Sequence, residues 1–345
     1  MRIAVDVMGG DHAPDAIIRG CIGALPSLTA DDRLVLVGNQ RDIEEVLTEQ
    51  RVSDPRLEIV HTSEVIGMDE APVDAVRGKR DSSIVRMMQL GSVKAEVRCD
   101  AVLSAGNTGA CVSAATMHMK RLPGVHRPGI AVTFPSFAAG PVVLSDAGAN
   151  PEPRPTHLWQ YALMSETFAR VVLGIEHPRV GQLNIGSEEG KGTDLINDTH
   201  NLLKKTPGMN YIGYIEGREL FDGGVDVIVT DGFTGNSVLK LAEGLARSLF
   251  KAIAHEVFTL APDLGFQLEP IFKEIYRKND YHEYGGAPLL GVNGVCVIAH
   301  GSSESRTIAA AIRNSRAYLI GHLNDAIVKR LAEVEHVARH VPEPA

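Results

Sequence analysis

The chain has 345 residues, 44% of them hydrophobic and 22% charged, enough to bury a sizeable core as one large α/β unit or two lobes sharing a sheet. Its formal net charge is -9, from 34 Lys plus Arg against 43 Asp plus Glu, and no cationic stripe runs along it. This balance argues against a nucleic-acid partner but leaves room for a local pocket that holds a small anion. Cys21, Cys99, Cys111 and Cys296 show no CxxC pair or metal-ligand spacing and are expected as small core residues. With no signal peptide and no run of 18 apolar residues, the expectation is a cytosolic chain that does not span a membrane.

In chain order, RIAVDV is a short apolar strand running into a Gly-Gly-Asp turn, and DAIIRGCIGAL a helix. Strand 33–38, helix 41–50 and strand 57–61 follow. Charged residues cluster over 69–98 around the helix-like SSIVRMMQL. Then come strand AVLSAG, helix NTGACVSAATMHMK, and the apolar IAVTF and PVVLSDAG. A proline-rich loop leads into a helix from Leu158 to Gly174. RVGQLNIG, MNYIGYIE and DVIVTDG are strands, with helix TDLINDTHNLLKK after the first. A long helix pattern starts at Ser237, a Gly-rich stretch holds one last strand, and two helices close the chain. Strands alternating with helices predict a doubly wound, mostly parallel sheet covered on both faces.

In such sheets ligands sit at the carboxyl ends of the strands. Five predicted strands end in small polar turns: Asp6 to Asp11, Ser104 to Gly109, Asp146 to Asn150, Gly186 to Gly192 and Thr230 to Asn236. Together they predict one site assembled on one rim. Asn107 is placed to cap a helix, and Gly109 to leave first-turn N–H groups open to an oxyanion. Ser104, Asn107, Thr108, Gly109, Asn150 and Asp11 form the predicted substrate- and phosphate-binding set, although Asp11 is equally placed to cap the helix near Pro14. Gly232 and Gly235 suggest an unusual backbone between Asp231 and Asn236. Lys191 is the one cation among these turns, and a solvated surface lysine is the competing reading. GxxxxGK[ST], a first-strand GxGxxG, GxSxG and HExxH are all absent, so neither a nucleotide site, a serine nucleophile nor a metal site is expected. No cofactor is called for.

Seven segments then carry a resemblance: MGGDHAP at 8–14, SAGNTGA at 104–110, SDAGAN at 145–150, LNIGSEEGKG at 183–192, DVIVTDGFTGN at 226–236, GGAPLLGVNG at 285–294 and HGSS at 300–303. In order and over nearly the whole chain, they resemble the bacterial acyl-acyl-carrier-protein:phosphate acyltransferase family. The departures are small: Ser145 stands where the family usually has a large apolar residue, and Gly129 where Ala is usual. The resemblance implies a homodimer with a fold similar to phosphate acetyltransferases and to the isocitrate and isopropylmalate dehydrogenases. It implies acyl carrier protein as acyl donor, inorganic phosphate as acceptor, and hand-over of acyl phosphate to a membrane glycerol-3-phosphate acyltransferase. Of its site residues, a lysine and an asparagine map onto Lys191 and Asn236.

On that footing Lys191 offsets charge, Asn236 and the Asn107 to Gly109 turn donate to phosphate, and Asp231 orients Lys191 or a turn. Three rivals stay open: a short-chain phosphate acetyltransferase using coenzyme A, a nicotinamide-dependent dehydrogenase on the related fold, and a non-catalytic scaffold for the carrier. Arg77, Lys79, Arg80 and Arg86 are candidates for docking an acidic carrier. Within 237–278, Phe250, Ile253, Val257 and Phe258, followed by Leu264, Phe266 and Leu268, form an apolar tip that makes a reversible membrane contact, packs on itself or meets the dimer partner. Val257, Phe258 and Leu264 are the residues whose replacement tests the contact.

Overall fold

The computed structural model describes residues 1–136, 140–278 and 285–338. The predicted stretch 281–284 falls outside them. The first strands are β1 (Arg2–Asp6), β2 (Arg33–Gly38), β3 (Leu57–His61) and β4 (Ala101–Ser104). They are followed by β5 (Gly129–Pro135), β6 (Pro141–Ser145), β7 (Arg179–Leu183), β8 (Asn210–Ile215) and β9 (Val227–Val229). The stretch expected to hold one last strand holds two, β10 (Ala287–Leu290) and β11 (Val295–Ile298). Gly291 and Gly294, both at positive φ, turn the chain between them.

All eleven strands form one sheet, in the order β3-β2-β1-β4-β11-β10-β5-β6-β9-β7-β8. Strands β3, β2, β1, β4 and β11 are parallel to one another, as are β6, β9, β7 and β8. Between them β10 is antiparallel to both neighbours and β5 is antiparallel to β6. The sheet is mostly parallel, as expected, but its two parallel halves run in opposite senses. The five predicted turns therefore do not share one rim. Between the two halves lie β10 and β5.

Helices cover both faces. On one lie α1 (Asp15–Ala24), α6 (Pro155–Val171), α10 (Ser305–Ile320) and α11 (Leu323–Val334), around a core that includes Ile17, Ile18, Trp159, Phe168, Ile308 and Leu331. Beside β2 and β3 runs α2 (Gln40–Glu49), and α7 (Asp194–Lys204) packs on α6. The other face takes α3 (Pro72–Gly78), α4 (Ser83–Leu90) and α5 (Thr108–Ala114), with Ile84, Met87, Met88, Cys111 and Cys296 buried among them. All four cysteines are free and buried, as their isolation in sequence implied. Their apolar surroundings hold the thiols protonated; burial pushes Cys21 and Cys111 up to about 12.

The remaining helices, α8 (Gly232–Leu260) and α9 (Pro262–Lys278), pack on each other. Pro262 opens α9 at a position where its missing N–H costs nothing. Of the 29 residues of α8 only Gly232 and Gly235 are buried. Near its start Val238 and Leu239 pack on the small core around Phe134, Leu144 and Ile228.

Candidate functional site

The helix predicted from Ser237 starts five residues earlier, and this decides where Asn236 stands. Asp231 caps α8, its Oδ1 accepting the Thr234 N–H at 2.8 Å. Gly232 and Gly235 are helical. A Cβ on Gly232 would come within 2.7 Å of the Asn150 carbonyl, and one on Gly235 would overlap the Asp146 carbonyl oxygen. Both positions need glycine because the first turn of α8 lies directly on the 146–150 loop. Helix propensity alone would not place glycines there. Asn236 then packs on Gly148, 3.5 Å from that residue's ideal Cβ position, and faces a cleft.

The cleft has a volume of about 420 Å³, within the range of small-molecule sites. Its walls come from both halves of the sheet. Asp11 and Thr108 follow β1 and β4, while His300, Gly301 and Ser303 follow β11. From the other half come Ala147, Gly148, Asn236, Leu239, Lys240 and Glu243. Ile130, Val132, Ala287 and Ile298 of β5, β10 and β11 form an apolar wall between these polar ends. Three predicted residues thus meet here: Asp11, Thr108 and Asn236. Asp11 does not cap α1, whose N-terminus has no side-chain cap; its N–H donates to the Gly301 carbonyl at 2.8 Å.

The other predicted residues have different work. Asn107 caps α5, its Oδ1 accepting the Ala110 N–H at 3.0 Å. Its Nδ2 donates to the carbonyls of Gly67, Met68 and Glu70 at 3.1–3.2 Å, so the amide is already engaged in holding that loop. Gly109 serves a close contact, because a Cβ there would sit 2.6 Å from Pro72. Ser104 donates to the buried carboxylate of Asp6 at 2.7 Å and accepts the Gly106 N–H. Burial raises Asp6 above the usual carboxylate range, against the hydrogen bonds it accepts. Asn150 donates from Nδ2 to the Pro128 carbonyl at 2.7 Å and to Asp146 at 3.2 Å. Asp146 in turn accepts the N–H groups of Ile130, Ala149 and Asn150. These residues tie loops to the sheet.

Lys191 lies on the loop after β7, which is separated from β5 by β6 and β9. It is half exposed and paired with Glu188 at 2.7 Å, and it is not among the residues lining the cleft. Among the described residues no hydrogen bond or ion pair joins it to Asp231. The lysine in the cleft is Lys240, four residues after Asn236 on the same face of α8, with Glu243 a turn further on. The spacing of Asn236, Lys240 and Glu243 was the available signal, concealed by starting the helix at Ser237. Partial burial raises the Glu243 carboxyl, while His300, Lys240 and Arg247 act in the opposite direction. His300 is oriented by its own loop: Nδ1 accepts the Ser302 N–H at 3.2 Å, which leaves Nε2 to carry the proton of a neutral ring.

A sheet of this order, with one cleft closed by loops from two opposed halves, defines an α/β protein of the phosphotransacetylase fold. The solved phosphotransacetylase from Streptococcus pyogenes superposes with a TM-score of 0.61 at 17% identity, covering 93% of this chain and 94% of that one. A 4-hydroxythreonine-4-phosphate dehydrogenase from Klebsiella pneumoniae gives 0.51 at 14% identity, covering 94% and 99%. At such identities the likeness shows the fold alone. Sequence goes further. The family described as "Fatty acid synthesis protein" matches residues 1–322. The phosphate acyltransferase of Desulfitobacterium hafniense (strain DSM 10664 / DCB-2) is 45% identical over 335 residues, 96% of this chain and 98% of its own length. The chain belongs to the phosphate acyltransferase family of fatty acid synthesis proteins.

Proposed function

We propose that this enzyme transfers a fatty acyl group from the thioester of acyl carrier protein to inorganic phosphate. The product is an acyl phosphate for phosphatidic acid synthesis. The observation that carries the reading is the cleft itself, which combines an apolar wall of Ile130, Val132, Ala287 and Ile298 with polar groups from both halves of the sheet, Thr108, Asn236, Lys240, His300 and Ser303 beside Asp11 and Glu243. An acyl chain suits the first and an oxyanion the second. Family membership supports the acyl transfer.

Phosphate dianion is a nucleophile near neutral pH and needs positioning more than a base. Its oxygen forms the new C–O bond at the thioester carbonyl, the carbonyl becomes an oxyanion, and the C–S bond then breaks with its electron pair leaving on sulfur as thiolate. A donor aimed at that oxyanion contributes about 2.7 to 4 kcal/mol in known oxyanion holes. We assign Asn236 a donor role. Lys191 offsets phosphate charge once its pair with Glu188 opens, and an exposed ion pair of this kind is weakly held because water screens it. Asp231 acts by fixing the start of α8 beneath Asn236. The protein works as a homodimer and hands its product to a membrane glycerol-3-phosphate acyltransferase.

Mass detection of acyl phosphate from acyl carrier thioesters, with and without phosphate, tests the reaction. Thioester loss that does not depend on phosphate would refute it. In the same assay Lys191→Ala and Asn236→Ala should each lower kcat/KM at least about tenfold with the fold intact. A normal rate for Lys191→Ala beside a tenfold loss for Lys240→Ala would move the cationic role to Lys240.

A further inference from the structure

Of the residues expected to hold phosphate at α5, Thr108 lines the cleft, but the Asn107 amide meets three carbonyls and Gly109 packs on Pro72. A second helix start borders the cleft. The 16-residue α10 begins after Glu304, which makes no side-chain cap, and Ser303 and Thr307 line the cleft on either side of that start. The helix packs closely on its neighbours. Gly20 of α1 admits the Ser305 carbonyl, within 2.7 Å of where a Cβ would lie, and Gly285 admits the backbone of Ala310 and Ala311.

Ser303 is the independent observation. It is 0% exposed, yet its Oγ has no hydrogen-bond partner. A buried hydroxyl without a partner costs free energy, and such groups are rare in folded proteins. This one lies in the wall of the cleft, one residue before the cap of a long helix whose N-terminal end favours negative charge. Asp11 and Glu243 also line the cleft, and the Lys240 ammonium acts to offset the charge of Glu243.

We propose that the N-terminus of α10, with the buried Ser303 hydroxyl as donor, is the seat of the phosphate dianion, and that the α5 turn is a structural clamp. This rests on the reading of phosphate as acyl acceptor. The same chemistry occurs in the phosphopantetheine arm of an acyl donor, and we commit to the free phosphate.

The test is Ser303→Ala, with Ser303→Gly as a second variant that also lacks the hydroxyl. Removing an unpartnered buried hydroxyl should leave the thermal midpoint without phosphate unchanged or higher. Binding of inorganic phosphate, followed by calorimetry and by the rise in midpoint on adding phosphate, should weaken about tenfold or more, as expected for a lost hydrogen bond to a charged group. The KM for phosphate should rise likewise, while the KM for the acyl donor stays within about twofold. Unchanged phosphate affinity in the folded variants would overturn the assignment, and so would a lower midpoint without phosphate at unchanged affinity, which marks a structural water on the hydroxyl. A rise in donor KM alone would give the site to the phosphopantetheine phosphate and also overturn it. A wild-type protein that binds no phosphate and forms no acyl phosphate would instead sink the reaction proposed above.

Discussion

Asp32 shows how one carboxylate can serve the frame of this molecule rather than its chemistry. Burial alone would raise its pKa, but it accepts the Thr29 N–H at 2.8 Å and the Thr29 hydroxyl at 2.9 Å, which help to bring it down to about 2. Arg316 of α10 also reaches it at 2.9 Å, tying that helix to the start of β2. A carboxylate depressed below its unfolded value of about 3.9 contributes stability above that value and loses it as pH falls through the folded one. Asp32→Asn should therefore cost on the order of 1 to 2 kcal/mol near pH 7, discounted for partial solvent screening. The gap from wild type should narrow between about pH 4 and pH 2. Urea titrations across that range check it, and a pH-independent gap would show that the loss comes from shape rather than charge. Asp6, Asp146 and Asn150 belong to the same kind of framework. Nothing in their sequence context separates a polar residue that braces a loop from one that meets a ligand.

At the scale of elements, the α8–α9 hairpin alters the expectation about its tip. Val257 and Phe258 are half-buried: Phe258 lies over Gly265, where a Cβ would come within 2.6 Å of its ring, and meets Phe266 edge-on at 5.6 Å. They hold the hairpin together. The apolar groups turned outward are Leu260 at 79% exposure, Phe266 at 68% and Leu264 at 48%. A membrane contact through this tip would use those three, each contributing about 1.5 to 3 kcal/mol if fully buried in the interface. Replacing Leu260, Leu264 and Phe266 with Ser should reduce sedimentation with phospholipid vesicles several-fold and leave acyl phosphate formation in solution unchanged. Full vesicle binding by the folded variant would assign the tip to another partner.

Across the whole molecule, α8 is an arm roughly 43 Å long at 1.5 Å per residue. Along it Leu241, Leu245, Leu249 and Ile253 recur every four residues and are 71%, 63%, 56% and 43% exposed. Large apolar groups that form a contiguous stripe mark an interaction surface, and a second copy meeting stripe to stripe would cover it with two-fold symmetry. In such a dimer Leu241→Asp with Leu245→Asp should yield monomers in analytical ultracentrifugation, because two like charges on each copy would face each other across a desolvated seam. A variant that remains dimeric would place the interface elsewhere. Among the described residues no helix is long and apolar enough to cross a membrane.

The periodicity of β1, α1, β2 and α2 was legible because a buried parallel strand needs a short apolar run and its helix needs one apolar face. The family was legible in seven ordered segments, and so was the crowding of glycines and small polar residues at strand ends. What those residues do was not. Gly109, Gly232 and Gly235 serve close approach to Pro72, Asn150 and Asp146, and Asn107 braces the 67–70 loop, because each is decided by a neighbour distant in the chain. The opposed senses of the two parallel halves depend on the pairing of β5, β6 and β10, which local pattern does not encode. That pairing brings Asp11, Thr108 and Asn236 to one cleft with Lys240, His300 and Ser303 and leaves Lys191 beyond its edge, since a site gathers whichever side chains the strand order makes neighbours.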